Sequence, residues 1–257
     1  MAAFCAALFL ASGAGATDVY HTDYSVSLLG LRVARSQFET TVDNGAFTTK
    51  GTLATAGLAR LFEAADGEAT VTGRFAADGA EPAAYRVTYH YGKDKARKVI
   101  DFANGMVVKT DVDPAPNKKR RRWIEVSPDD LKRVVDPLSA AMIGASRPED
   151  VCNRTLRVFD GVTRVDLKLD FAGLQPFSTK GFKGVAVSCH VQFQPVSGYR
   201  KGVFSMDYLS RQKRIRMAFA TLGNSGIYAP VFAKIGTQIG DVTVYATRFE
   251  KVGDKTE

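Results

Sequence analysis

Nucleophiles and bases are scarce in this sequence. Its 257 residues include three histidines, His21, His90 and His190, and three cysteines, Cys5, Cys152 and Cys189. Acyl transfer needs a Ser, Cys or Thr activated by a base, and the G-x-S-x-G turn that presents such a serine is absent. Metal-assisted hydrolysis would show H-E-x-x-H. Nucleotide chemistry would show a P-loop, or a G-x-G-x-x-G opening a helix after a strand; the chain has none of these. His90 and His190 fall in strand-like segments, out of phase with their apolar neighbours, which suits hydrogen-bonded or solvated side chains better than a general base. Asp111 and Asp113 share a strand parity, as do Asp166 and Asp170, but the outer faces of strands produce such pairs routinely. No C-x-x-C or H-x-x-x-H spacing suggests a metal site. The expectation is a protein that is not an enzyme and carries no cofactor, with an unrecognised hydrolase as the residual catalytic reading.

Binding chemistry is more visible. Lys118-Lys119-Arg120-Arg121-Arg122 is followed directly by Trp123, the one tryptophan. Five adjacent cations repel each other, so the run belongs in an exposed loop after Pro114 and Pro116, where an anion would compensate it. Trp123 beside it has the amphipathic ring that settles at lipid headgroups, or else it turns into the core. Lys118, Lys119, Arg120, Arg121, Arg122 and Trp123 are therefore the candidate contacts for an anionic surface or ligand. Cations also interleave with aromatics at Tyr199-Arg200-Lys201 and over residues 211–216, a pattern that ordinarily serves solubility and edge protection. Asn153-Arg154-Thr155 is a glycosylation sequon whose position beside Cys152 suggests that it is inert.

The first sixteen residues point to the compartment. MAAFCAALFLASGAGA has an apolar stretch and closes on Ala14-Gly15-Ala16, an A-x-A type site, so residues 1–16 read as a secretory signal peptide. No Lys or Arg precedes the apolar stretch; a start codon further upstream would supply it. Cys5 leaves with that segment. Cys152 and Cys189 remain, an even pair in an exported chain, which argues for one disulfide against the alternative of two separate buried thiols. Closing that loop would contribute about 4 kcal/mol in the chain-entropy model. With 35 Lys and Arg against 27 Asp and Glu, the net charge is +8. Outside the cytoplasm such a chain meets lipid headgroups, lipopolysaccharide phosphates or acidic wall polymers first, and nucleic acid last.

The elements that must position these residues are mostly strands. Composition is 45% hydrophobic and 24% charged, which excludes disorder as the main state. Beyond residue 16 no apolar run approaches the roughly 18 residues of a membrane-spanning helix. Tyr20, Thr22, Tyr24, Val26 and Leu28 share one parity, and His21, Asp23, Ser25 and Ser27 the other, as in a half-buried strand. Similar segments recur at hairpin spacing through residues 241–250, including 202–209, with turns at Asn44-Gly45, Asn104-Gly105 and Asp160-Gly161. Ser127-Pro128 and Asp136-Pro137 each pair a cap with a proline at the first helical position, so residues 128–143 read as two short helices. Residues 57–62 and 225–235 read as further single turns or short helices. The fold class expected is mainly β: one large curved antiparallel sheet, an open half-barrel or β-spiral, with a few short helices. Residues 18–251 form a single domain and 252–257 a disordered tail.

Several runs carry a family resemblance. They are Asp136-Pro137-Leu138-Ser139-Ala140; Cys152 with Val158-Phe159-Asp160-Gly161-Val162-Thr163-Arg164 following; and Cys189 with Pro195-Val196-Ser197-Gly198-Tyr199 following. The Tyr-rich first strand followed by Gly30-Leu31, and Gly226-Ile227-Tyr228-Ala229-Pro230, fit as well. Together they resemble the alphaproteobacterial branch of an exported family, domain of unknown function 3108, over nearly the whole mature chain. The resemblance implies a periplasmic protein with a curved antiparallel sheet, similar in outline to the lipoprotein carriers of outer-membrane sorting, and it brings no established activity. A sheet that curls without closing would offer a concave face. The expectation is a periplasmic, non-catalytic cell-envelope protein that holds a lipid or other hydrophobic ligand there. The alternative is an envelope scaffold docking another periplasmic protein.

Overall fold

Turn residues set the register. Asn44 and Gly45 have φ of 47° and 78°, and Asn104 and Gly105 repeat this at 51° and 69°; such turns match the twist of the strands they join. The computed structural model describes residues 17–57, 65–119, 121–212 and 215–252. Its first seven strands are Asp18–Leu28 (β1), Leu31–Asp43 (β2), Ala46–Thr55 (β3), Ala65–Ala76 (β4), Gly79–Tyr91 (β5), Asp94–Ala103 (β6) and Met106–Asp113 (β7), an antiparallel meander. Two-residue strands Trp123–Ile124 (β8) and Ile143–Gly144 (β9) follow. Next come Arg154–Phe159 (β10), Arg164–Thr179 (β11), Phe182–Ser197 (β12) and the short Tyr199–Arg200 (β13). The helix Phe204–Arg211 (α1) leads into Ile215–Thr221 (β14), Ile227–Thr237 (β15) and Gly240–Lys251 (β16).

The pairings run β10-β11-β12-β14-β15-β16-β1-β2-β3-β4-β5-β6-β7, and β9 joins β15 to β5. Ile143 pairs with Tyr228 of β15 and with Gly79 of β5. The expected open half-barrel or spiral is thereby corrected: β15, β16, β1, β2, β3, β4, β5 and β9 form a closed ring of eight, a β-barrel with extra strands outside it. A second stitch ties both outer edges together. The amide of Arg133 donates to Gly105 O at the tip of β7 (2.6 Å), that of Val135 to Arg157 O in β10 (2.9 Å), and that of Phe159 to Val135 O (2.9 Å).

Closure has a packing reason. An eight-stranded barrel is just wide enough for its own side chains to fill, and one buried cluster spans Tyr20, Tyr24, Val71, Tyr85, Ile100 and Val231 among others. Among the described residues the closed ring therefore replaces the open concave face that was expected. A second cluster lies under the outer strands β10–β12 and β14 and contains the disulfide. Cys152 and Cys189 are bonded at 1.98 Å, with both residues buried.

Residues 202–209, read as a strand, lie largely in α1, and 225–235, read as helix, lie mostly in β15. The pair of helices expected over 128–143 is two 3-10 turns, Pro128–Leu131 and Ser139–Ala141, followed by β9. The first cap is as read, Ser127 forming a capping box with Asp130; the second turn begins two residues later than read, with Leu138 at its cap position, and Asp136 Oδ1 accepts from the amides of Leu138 and Ser139 ahead of it. The signal segment 1–16, most of the expected helix at 57–62 and residues 253–257 of the tail lie outside the described residues.

Antiparallel strands give the barrel two distinct ends. Turns 29–30, 92–93 and 238–239 lie at one, and turns 44–45, 77–78 and 104–105 at the other. The first is the Leu29 end and the second the Asn44 end.

Candidate functional site

The Asn44 end opens into a cleft of about 1390 Å3. Its walls come from the turns at that end of β3–β7, from residues 133–143 and from residues 149–157, which run into β10. The second 3-10 turn and β9, which close the barrel, also form the floor of this cleft. Phe47, Ala80, Phe102, Val134, Met142 and Ile143 line it and are all buried members of the two cores. The floor is thus apolar and continuous with the protein interior.

Charge is placed above that floor. Arg74, Arg133, Arg154 and Arg157 line the cleft, as do Asp78, Glu81, Glu149 and Asp150. Four cations against four anions make a balanced polar border rather than an anion trap. Arg154 holds the wall together: its guanidinium donates to Asp78 O (3.0 Å), Gly144 O (3.3 Å) and Asp150 O (2.5 Å). Burial pulls its pKa down, against the Asp78 and Asp150 charges. Arg157 donates to Asp129 O (3.2 Å). The Nε atoms of Arg154 and Arg157 are buried with no hydrogen-bond partner among the described residues. Unpaired buried donors are costly, so these two guanidiniums are only partly satisfied within the wall.

Asp136 anchors the turn beneath. It is fully buried, and burial pushes its carboxyl up while the amides of Ser139 and Leu138 pull it down. Its cap aims residues 139–143 along the cleft floor into β9.

The histidines are dispersed. His21 pairs with Glu39 (3.0 Å) and His90 with Asp66 (3.1 Å), on partly exposed strand faces, and His190 stands opposite Asp170 across β11 and β12. None of them lines the cleft. Among the described residues no group of three or more His, Cys, Asp or Glu side chains could hold a metal ion.

The basic run lies away from the cleft. Lys118, Lys119, Arg121 and Arg122 are exposed, and Arg120 lies outside the described residues. Trp123 is half-buried, with its Nε1 enclosed and unpartnered among the described residues. The structure brings this run beside Tyr199-Arg200-Lys201: Arg200 pairs with Trp123, and the Lys201 amide donates to Arg122 O (2.9 Å). β7 and β12 both run toward the Leu29 end before these loops, which puts the cations opposite the cleft.

Sequence reasoning missed the cleft. Its one local sign was Arg154, which shares the inward parity of Leu156 and Val158 in β10. A cation on an apolar parity marks a buried guanidinium that needs acceptors.

A model of the family described as "Protein of unknown function (DUF3108)" matches residues 23–247. No curated protein matches the sequence. Among solved structures, the crystal structure of a beta-barrel-like protein of domain of unknown function DUF1849 from Brucella abortus is similar. It has a TM-score of 0.52 and 11% identity, over 91% of this chain and 97% of that one. At that identity the likeness concerns the fold alone, and it agrees with a closed barrel.

Proposed function

This chain belongs to the DUF3108 family, and from that premise we propose that it is a periplasmic, non-catalytic protein of the cell envelope that binds a lipid or other hydrophobic ligand in the cleft at the Asn44 end. The observation that carries this reading is the pairing of a buried apolar floor with a charge-balanced border. Apolar clefts with a few converging polar groups are the usual form of a small-molecule site. An acyl or other apolar body would lie on Phe47, Phe102 and Met142, and a dipolar or zwitterionic end would reach the arginines and carboxylates above. The A-x-A type site at Ala16 and the Cys152–Cys189 bond support export, since disulfides persist in oxidising compartments.

Two measurements test this. Native mass spectrometry of protein purified from cell envelopes should find a co-purifying small molecule. A fluorescent fatty acid should bind the protein and lose about tenfold in affinity in Ala83→Trp/Thr155→Trp, which fills the cleft from two exposed positions. A bare polypeptide that takes up no probe would refute the reading. The scaffold alternative has a foothold at the outer edge of β7, where Val108 is exposed; a stoichiometric crosslinked partner lost with Val108→Pro would favour it.

A further inference from the structure

The Leu29 end carries an apolar feature that neither the cleft nor the core explains. Leu29, Leu31 and Ile239 are 68%, 68% and 71% exposed, the three most exposed large apolar side chains among the described residues. They are 210 residues apart in sequence at the extreme, yet β1 and β16 are neighbours, so the two turns that bear them sit side by side. The amide of Leu29 donates to Asp241 O (3.1 Å), and the Leu29 side chain lies over Gly240.

Leu29 is held there against its backbone preference. Its φ is +51°, in the left-handed region that favours Gly and Asn. The corresponding turn positions 44 and 104, with φ of 47° and 51°, are both asparagine. A leucine at this position therefore serves something other than the turn.

Cations converge on the same end. The β8–β13 pair joins Lys118, Lys119, Arg121 and Arg122 to Arg200 and Lys201, segments far apart in the chain. No ion pair with any of these six forms among the described residues, whereas Arg97 and Lys234, also toward this end, are paired with Asp111 and Asp241. α1 links the two features: it starts three residues after Lys201, and Tyr208 within it donates to Thr237 O, two residues before Ile239. Its eight residues span about 12 Å and tie the segment that follows Lys201 to the end of β15, just before the turn that bears Ile239.

We infer that the Leu29 end docks on an anionic phospholipid bilayer, with Leu29, Leu31 and Ile239 entering the headgroup layer and the six cations meeting lipid phosphates. Charge complementarity selects a bilayer, because apolar tips flanked by unpaired cations match a surface that is apolar beneath and negative above. The cleft then faces away from the membrane, open to what moves in the surrounding solution. This inference does not depend on the cleft holding a ligand.

The test is sedimentation of the full chain with vesicles of phosphatidylglycerol and phosphatidylcholine, against phosphatidylcholine alone. The anionic vesicles should bind at least about tenfold more protein, with salt weakening the interaction. Lys118→Ser/Lys119→Ser/Arg121→Ser/Arg122→Ser and Leu31→Ser/Ile239→Ser should each cut binding about tenfold. Leu29→Asn separates folding from docking: its melting temperature should rise while its vesicle binding falls. Equal sedimentation with both vesicle types, or binding unchanged by the aliphatic substitutions, overturns the inference. So does binding of free polyphosphate without binding of vesicles.

Discussion

A Cβ placed on Gly144 would stand 2.7 Å from the amide nitrogen of Gly79, and one placed on Gly79 would stand 3.2 Å from that of Gly144. These two glycines meet where β9 joins β5, so the barrel closes through a contact that no side chain can enter. Gly79 also has a φ of +142°, which side chains rarely adopt. Gly144→Ala should destabilise the chain by about 1–3 kcal/mol, the ordinary cost of overpacking. Hydrogen exchange should then quicken at Ile143 and Ala80 before the rest of the sheet. Unchanged protection there would mean that the closure is not held by this contact.

The Cys152–Cys189 bond closes a loop of 37 residues between the turn at Pro148–Val151 and β12. Replacing both cysteines by alanine should cost about 4 kcal/mol in the chain-entropy model. Denaturant titration of the oxidised wild type against the double variant measures it, and a loss below about 1 kcal/mol would show that the two buried residues pack equally well unlinked.

Asp136 makes a pH prediction. Burial raises its carboxyl pKa in the folded chain above the unfolded value of about 3.9. The folded state therefore keeps a proton that the unfolded state has lost, and stability falls as pH rises from the unfolded pKa toward the raised one. Below about pH 3.9 both states are protonated and this group contributes no slope. Asp136→Asn keeps an oxygen for the Leu138 and Ser139 amides and does not ionise. Unfolding curves at acid and neutral pH should show the variant gaining on the wild type as pH rises. A constant difference across that window would contradict the assignment.

Arg154 joins three carbonyls from separate segments, at Asp78, Gly144 and Asp150. Arg154→Ala should cost about 2–3 kcal/mol, as for hydrogen bonds to a charged group. Arg154→Lys should recover little, since an ammonium on a flexible stem cannot hold the fork geometry. Equal midpoints for the lysine variant and the wild type would show that charge alone matters.

Much of the local structure was legible in the residues. Tyr20, Thr22 and Tyr24 are buried on one parity as the alternation required, the Asn-Gly pairs form turns, and Ser127 caps where it was expected to. Each of these depends on neighbours within a few positions, and so does the chemistry that specifies it. Residues 202–209 and 225–235 failed because short apolar runs fit either period; which one forms depends on the ladder available, and β15 gains its ladder from β14 and β16.

What the amino-acid order determined by itself, then, was a chain of hairpins, their inward faces, Cys152 and Cys189 as a candidate pair and a basic run beside a tryptophan. Tertiary structure alone decided that the sheet closes, because the closing element is two residues long and its partners Gly79 and Tyr228 lie on distant strands. It also decided which loops share an end. The polarity of strands around a ring set the cleft at Asn44 and the leucines and cations opposite it, and no local pattern records an order that exists only once the ring is formed.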